Sequence, residues 1–299
     1  MTDVRIYEVG PRDGLQNESA PISIDAKLRF IDLLADAGLR EIEATSFVSP
    51  RAIPQLADAD ELMARLERRP GVRYPVLVPN ERGLERAEAA AVDALCVFTA
   101  ASEEFTAHNI NMSIAASIDA FRPVVSTARE RGWWSRGYVS TAFGCPYQGR
   151  VDEGAGVEVA LRLLELGVDE VSIGDTIGVA GPADVRRVVG ALLGAGIGAD
   201  RLAMHFHDTR GTALANVTTA LDLGIRCFDA STGGTGGCPY APGAAGNLAT
   251  EDLVYLLDRE GLTHGVDLDA VLVAARDVSA TLARPLSTKV GQAGGWRLP

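Results

Sequence analysis

The chain has 299 residues, 47% of them hydrophobic, enough for one large domain or two ordinary ones. Its 28 basic and 40 acidic side chains give a formal charge of −12, which argues against nucleic acid or an anionic membrane as the main partner. An anionic substrate must therefore be met by local positive charge, and a bound metal ion is the simplest source.

From its first residues the sequence alternates short β-rich runs with longer amphipathic segments. Strand Val4–Val9 precedes helix Asp25–Ala37, Glu41–Thr45 precedes Asp58–Arg68, Arg73–Val78 precedes Glu81–Ala90, and Ala94–Phe98 precedes Ser117–Arg131. The second half repeats the alternation: Gly137–Ala142 with Gly156–Leu166, Glu170–Ile173 with Pro182–Leu193, Leu202–Phe206 with Thr212–Leu223, and Cys227–Asp229 with Leu248–Asp258. Gly38, Gly167 and Gly224 stand where helices should stop, the residue type that tolerates a left-handed cap. Eight βα units within about 250 residues predict an α/β fold, a TIM (β/α)8 barrel. One additional C-terminal helix is expected over Asp267–Ala283, with Gly291–Pro299 loosely held. No linker or low-complexity tract divides the chain, so one catalytic domain over residues 1–299 is expected. An open doubly wound sheet is disfavoured by the lack of a Gly-rich turn after the first strand.

The four cysteines, Cys96, Cys145, Cys227 and Cys238, show no C-x-x-C spacing and read as free thiols. Cys96 and Cys227 sit in strand-like runs and read as small buried apolar residues. The chain enters a strand at once, and no apolar run approaches the roughly 18 residues of a membrane helix. It ends in Trp296-Arg297-Leu298-Pro299, which is no peroxisomal signal, so a cytoplasmic enzyme is expected.

In such a barrel the reactive groups stand where strands end and βα loops begin. Strand one runs into Arg12 and Asp13, strand two carries Glu43, strand six leads to Asp175, and strand seven carries His205 and His207. The two histidines are two apart on a strand, so both face the barrel interior. A lone buried histidine is usually a hydrogen-bonded core residue. A pair in register at the active end points to a metal. Asp13 and Asn247 complete a set of two imidazoles, one carboxylate and one amide, which suits Mg²⁺ or Mn²⁺. A dication with one carboxylate leaves about +1, and Arg12 raises it to about +2, offset in part by Glu43 or Asp175. Arg12 can stabilise an enolate oxygen. Glu43 reads as a group orienting Arg12 or a ligand. For Asp175 a structural and a functional reading are balanced.

The run Gly233–Asn247 holds six glycines and Cys238, and reads as a catalytic lid whose thiol serves as general acid or base. Cys145 is the weaker candidate. The tetrapeptide Gly-Cys-Pro-Tyr recurs at 144–147 and 237–240 without a physical account. No Walker lysine, dinucleotide fingerprint or Gly-x-Ser-x-Gly elbow appears.

Glu8-Val9-Gly10-Pro11-Arg12-Asp13-Gly14-Leu15-Gln16-Asn17-Glu18, Thr45-Ser46-Phe47-Val48-Ser49-Pro50, Gly174-Asp175-Thr176-Ile177-Gly178 and the glycine run through Asn247-Leu248-Ala249-Thr250-Glu251-Asp252 closely resemble the hydroxymethylglutaryl-CoA lyase family, one of the DRE-TIM metallolyases. The resemblance spans about Val4 to Val290. It implies cleavage of 3-hydroxy-3-methylglutaryl-CoA to acetoacetate and acetyl-CoA, a step of leucine degradation and ketone-body metabolism. It implies a divalent cation on Asp13, His205, His207 and Asn247, with Arg12 holding the enolate and Glu43 and Asp175 supporting. Cys238 would move a proton from a mobile loop, and His205 would shuttle one as well as ligate. Two positions depart from the family pattern: Arg210, where animal members carry tyrosine, and Thr235, where leucine is expected.

Condensing synthases of the same group typically show Asp-Thr-Thr-Leu-Arg-Asp-Gly at strand one and carry a further domain. This chain has Glu-Val-Gly-Pro-Arg-Asp-Gly and ends after one terminal helix, which favours the lyase. A lyase for a related 3-hydroxyacyl-CoA is the other alternative, and a non-catalytic barrel is disfavoured by the presence of Arg12 and Cys238. No residue is singled out for the CoA moiety. A homodimer through the outer barrel face or terminal helix is the expected assembly.

Overall fold

A computed structural model describes residues 2–236, 246–285 and 288–296. Nine parallel strand pieces form one sheet whose two ends are Glu41–Ile42 and Thr45–Ser46. Those ends are halves of a single run, β2, interrupted at Glu43 and Ala44. Glu43 N–H donates to Glu8 O at 2.8 Å on one side, and Ala44 N–H to Pro75 O at 3.0 Å on the other. The sheet therefore closes on itself as an eight-stranded barrel. The other strands are β1 (Arg5–Glu8), β3 (Val76–Leu77), β4 (Ala94–Ala100), β5 (Trp134–Ser140), β6 (Glu170–Asp175), β7 (Leu202–Phe206) and β8 (Cys227–Ala230). Sequential neighbours pair in parallel around the ring, and β8 pairs with β1.

Helices fill the outer ring, each started by a local signal. Ser23, Asn80, Ser113 and Asp152 accept from backbone N–H groups in the first turns of α1 (Ile24–Asp36), α3 (Glu81–Ala89), α5 (Ile114–Glu130) and α6 (Glu153–Leu166). Gly167 ends α6 in the left-handed region at φ 113°. The ring also contains α2 (Ala59–Arg65), α7 (Pro182–Gly194), α8 (Ala213–Asp222) and α9 (Thr250–Glu260).

Several element ends shift by up to three residues, as where Gly137–Ala142 is found as Trp134–Ser140 and Ser117–Arg131 as Ile114–Glu130, and other differences accompany them. A short helix α4 (Glu103–Ile110), capped by Ser102, was not foreseen; it buries little beyond Phe105 and Thr106, so its apolar pattern is faint. The expected helix Leu248–Asp258 begins two residues later, because Leu248 N–H bonds Phe206 O and Ser231 N–H bonds Leu248 O. After α10 (Leu268–Thr281) comes a further helix, α11 (Lys289–Ala293). Gly291–Ala293 are thus not loosely held: they complete this helix, whose first turn is fixed by Asp252 accepting from the N–H groups of Lys289 and Val290.

Two packed layers follow from strand parity. Ile6, Met204, Phe206, Val171 and Ile173 pack outwards against the helices. Tyr7, Val9, Leu77, Cys96, Tyr138, Ala203 and Cys227 fill the barrel interior. Cys96 and Cys227 are buried free thiols, as expected; Cys145, the weaker acid–base candidate, is also buried, and Cys238 lies outside the described residues. Among the described residues no helix is long and apolar enough to cross a membrane.

Candidate active site

The turn after β1 is one wide π-helical turn, Gly10–Gly14, in which Gly14 N–H bonds back to Val9 O at 3.2 Å. Such turns recur at functional sites because they re-aim side chains. Here the turn presents Arg12 and Asp13 at the C-terminal end of the barrel. Gly14 is required by close approach, since a Cβ there would stand 2.3 Å from Thr235 Oγ1. Thr235 in turn bonds Ser231 Oγ at 2.6 Å and Thr232 O at 3.2 Å, so this departure from the family pattern serves as packing.

His205 and His207 lie on one face as parity requires, with ring centroids 5.2 Å apart. Ligand atoms of Asp13, His205 and His207 all fall within 4.8 Å of one another. Asn247 reaches the same place because its segment pairs antiparallel with His207, and Asp208 N–H bonds Gly246 O at 2.7 Å. The amide is oriented unambiguously: Nδ2 donates to Asp13 Oδ2 at 2.8 Å and to Thr235 O at 3.0 Å. Gly236 makes room, since a Cβ there would stand 2.5 Å from that nitrogen. Asn247 Oδ1 and His207 Nδ1 are left buried with no partner. A buried lone-pair donor without a partner is costly unless something electropositive meets it. Oxygen from a carboxylate and an amide, with imidazole nitrogen, is a donor set that fits a divalent cation.

The electrostatics of Asp13 and His207 agree. Burial pushes Asp13 up, but Arg12, His205 and Asn247 outweigh it and hold the carboxyl below the usual carboxylate range. His207 is pushed down to about 3 by burial and by His205, so its imidazole is neutral. Burial also lowers His205, yet its bond to Asp229 raises it overall.

Arg12 forks between two carboxylates, with Nη1 on Asp13 Oδ1 at 2.7 Å and Nη2 on Glu43 Oε2 at 3.0 Å. Glu43 is fully buried and also accepts from Tyr138 Oη at 2.7 Å. The Glu43 side chain thus stands against Arg12, one of the two positions considered for it. Burial and the Glu43 charge push Tyr138 well above its ordinary value, so it remains a donor. Asp175 accepts the backbone N–H groups of Val179 and Ala180 at 2.9 and 3.0 Å, which fixes the loop leading to α7. Its carboxylate is engaged there rather than on Asp13 or Arg12. Arg210 donates to the carbonyls of Ile177 and Gly178, tying the loop after β7 to the loop after β6.

The glycine run is anchored at its near end by two buried carboxylates. Glu8 accepts from Gly10 N–H, Thr232 N–H, Thr232 Oγ1 and Thr250 Oγ1 at 2.7–2.9 Å. Glu251 accepts from Gly233 N–H at 3.0 Å, and burial pushes its pKa up to about 7. A carboxyl whose folded pKa exceeds its unfolded one stabilises the fold below about pH 4.5 and loses that contribution as pH rises through 7. Glu251→Gln should therefore remove up to about 3 kcal/mol of pH-dependent stability between pH 5 and 8. Paired urea titrations at those two pH values check it, and equal pH dependence in both proteins rejects it.

Sequence reasoning missed Asp229, Arg136, Ser172 and Tyr138, which stand behind the site. Asp229 Oδ2 lies 3.2 Å from His205 Nδ1, and Arg136 lies 2.8 Å from Asp229 Oδ1. The signal was strand parity: Asp229 is two residues from Cys227 on an inward face, and Arg136 is two from Tyr138.

The HMGL-like family model matches residues 3–278. The hydroxymethylglutaryl-CoA lyase of Pseudomonas mevalonii is 48% identical over 293 residues, covering 98% of this chain and 97% of the relative. The cytoplasmic 3-hydroxy-3-methylglutaryl-CoA lyase of Rattus norvegicus is 48% identical over 290 residues, covering 97% and 84%. The crystal structure of hydroxymethylglutaryl-CoA lyase from Pseudomonas aeruginosa superposes with a TM-score of 0.95 at 46% identity, over 98% of this chain and 97% of that one. With model, relatives and architecture in agreement, the chain belongs to the HMGL-like family and, within it, to the hydroxymethylglutaryl-CoA lyases, which are carbon–carbon lyases.

Proposed function

We propose that the protein cleaves 3-hydroxy-3-methylglutaryl-CoA to acetoacetate and acetyl-CoA by a metal-assisted retro-Claisen reaction. The observation that carries this reading is the convergence of Asp13, His205 and His207 with the unpaired Oδ1 of Asn247, beside the forked Arg12. Those four residues are assigned to hold the ion, with Mg²⁺ or Mn²⁺ favoured by the hard oxygen donors. A divalent cation bound there lowers the pKa of a hydroxyl and polarises its oxygen.

The residues then divide the reaction. The C3 hydroxyl of the substrate gives up its proton, for which His205, backed by Asp229, is the assigned carrier when the ion does not occupy its Nε2. The electrons of the C2–C3 bond pass into the thioester as an enolate, and C3 becomes the ketone carbon of acetoacetate. Arg12 faces the enolate oxygen with a full charge fixed by two carboxylates, so little reorganisation is needed as charge develops. Cys238 is assigned to deliver the proton that turns the enolate into acetyl-CoA. Glu43 orients Arg12, and Asp175 supports the neighbouring loop.

The assigned setting is a cytoplasmic homodimer acting on an acyl-CoA as one catalytic domain, with no nucleic-acid or membrane partner, in keeping with the charge of −12. Sedimentation of the purified chain tests the dimer. For the reaction, purified protein with substrate, Mg²⁺ and a thiol reductant should release acetoacetate. EDTA should reduce the rate to background, and Mg²⁺ or Mn²⁺ should restore it. No acetoacetate from folded, metal-replete protein rejects the substrate and turns attention to related 3-hydroxyacyl-CoA thioesters. Undiminished turnover after exhaustive chelation rejects the metal.

A further inference from the structure

The centre of a TIM barrel is ordinarily filled by branched aliphatic side chains. Here it holds Arg136, which is 0% exposed. A buried charge of this kind tends to cost stability even when paired, so its presence calls for a role. Its guanidinium lies over the Tyr7 ring, 3.9 Å from the centroid, with Nε 3.0 Å from Glu170 Oε1 and Nη2 2.8 Å from Asp229 Oδ1. These contacts are close ion pairs rather than aligned hydrogen bonds. Held between a ring and two carboxylates, the guanidinium has little freedom to move. Asp229 Oδ2 in turn accepts from Ser172 Oγ at 2.9 Å and lies 3.2 Å from His205 Nδ1.

We propose that Asp229 and Arg136 are positioning residues that hold His205 with its proton on Nδ1, leaving Nε2 as the bare nitrogen for the metal. The inference rests on the reading of His205 as a metal ligand. An ionised carboxylate is an acceptor only, so the imidazole nitrogen facing Asp229 must be the N–H. Arg136 sets a full positive charge against that carboxylate, with Nη2 2.8 Å from Oδ1. Ser172 fixes the carboxylate's direction. A charge partner alone would need neither the histidine nor the serine. Carboxylates that orient ligating histidines recur at metal sites, and their loss costs metal affinity.

The test reads the tautomer and the metal separately from turnover. Metal-free protein with ¹⁵N-labelled histidine is examined by NMR in alkaline buffer, with His205→Gln to assign the signal among the four histidines. Wild type should show His205 protonated on Nδ1. In Asp229→Asn the amide can turn its NH₂ towards the ring, so the proton should move to Nε2. Mn²⁺ alone, titrated into the same proteins and followed by EPR, should bind Asp229→Asn about 10- to 100-fold more weakly. A wild-type His205 protonated on Nε2 overturns the proposal and needs no variant, so misfolding of Asp229→Asn cannot shelter it. If His205→Gln loses Mn²⁺ while Asp229→Asn keeps wild-type affinity and tautomer, the positioning role falls and the metal reading stands. If His205→Gln binds Mn²⁺ as wild type does, both fall.

Discussion

Arg12→Gln should lower kcat by about 10²- to 10³-fold while changing KM for the acyl-CoA far less. The expectation comes from what Arg12 already touches. Two of its nitrogens are committed to Asp13 and Glu43, and Nε is buried without a partner. Glutamine keeps much of the length but removes the charge, and with it the attraction for an oxygen that becomes negative only as the C–C bond breaks. Ground-state binding of the thioester loses little, which is why the effect belongs in kcat. Arg12→Lys should stay well below wild type, since one ammonium cannot fork between two carboxylates and still face a third oxygen. Steady-state kinetics on both variants, with folding checked by circular dichroism, decide the point. A kcat within about threefold of wild type for Arg12→Gln removes Arg12 from enolate stabilisation.

Local periodicity carried the barrel and the placing of His205 and His207 on one face, while Arg12, Asp13, Glu43 and Asn247 were reached only from strand ends, loop position and family resemblance. Leu202–Phe206 is a strand with the bounds its pattern predicts, and the spacing of His205 and His207 is enough to bring their rings to one face. Other strand ends were less legible, because a run such as Ala94–Ala100 is extended by its neighbour's hydrogen bonds rather than by its own composition. The back of the site could not be read at all from spacing. Tyr138 meets Glu43 across 95 positions, and Ser172 meets Asp229 across 57. Only closure of the barrel makes such pairs neighbours. Arg136 and Glu170 illustrate the difficulty: each is an ordinary charged residue at the start of a strand, until the register sets them side by side at the centre.

Arg136→Met should destabilise the protein by about 3–5 kcal/mol, since it leaves Glu170 and Asp229 as buried carboxylates without their cation. Arg5 also pairs with Glu170, so the orphaned charge falls mainly on Asp229. The double variant Arg136→Met with Asp229→Asn should then recover part of the loss, because the second substitution removes the uncompensated charge. Urea unfolding of the two single variants and the double variant measures this coupling directly. A loss below about 1 kcal/mol for Arg136→Met would mean that water or a rearranged Arg5 covers the carboxylates. A full loss with recovery in the double variant has a sharper meaning. Asp229 would then be a charge that the fold tolerates only because Arg136 is there. The reason to keep such a pair at the centre of a barrel would lie one residue further along, at His205.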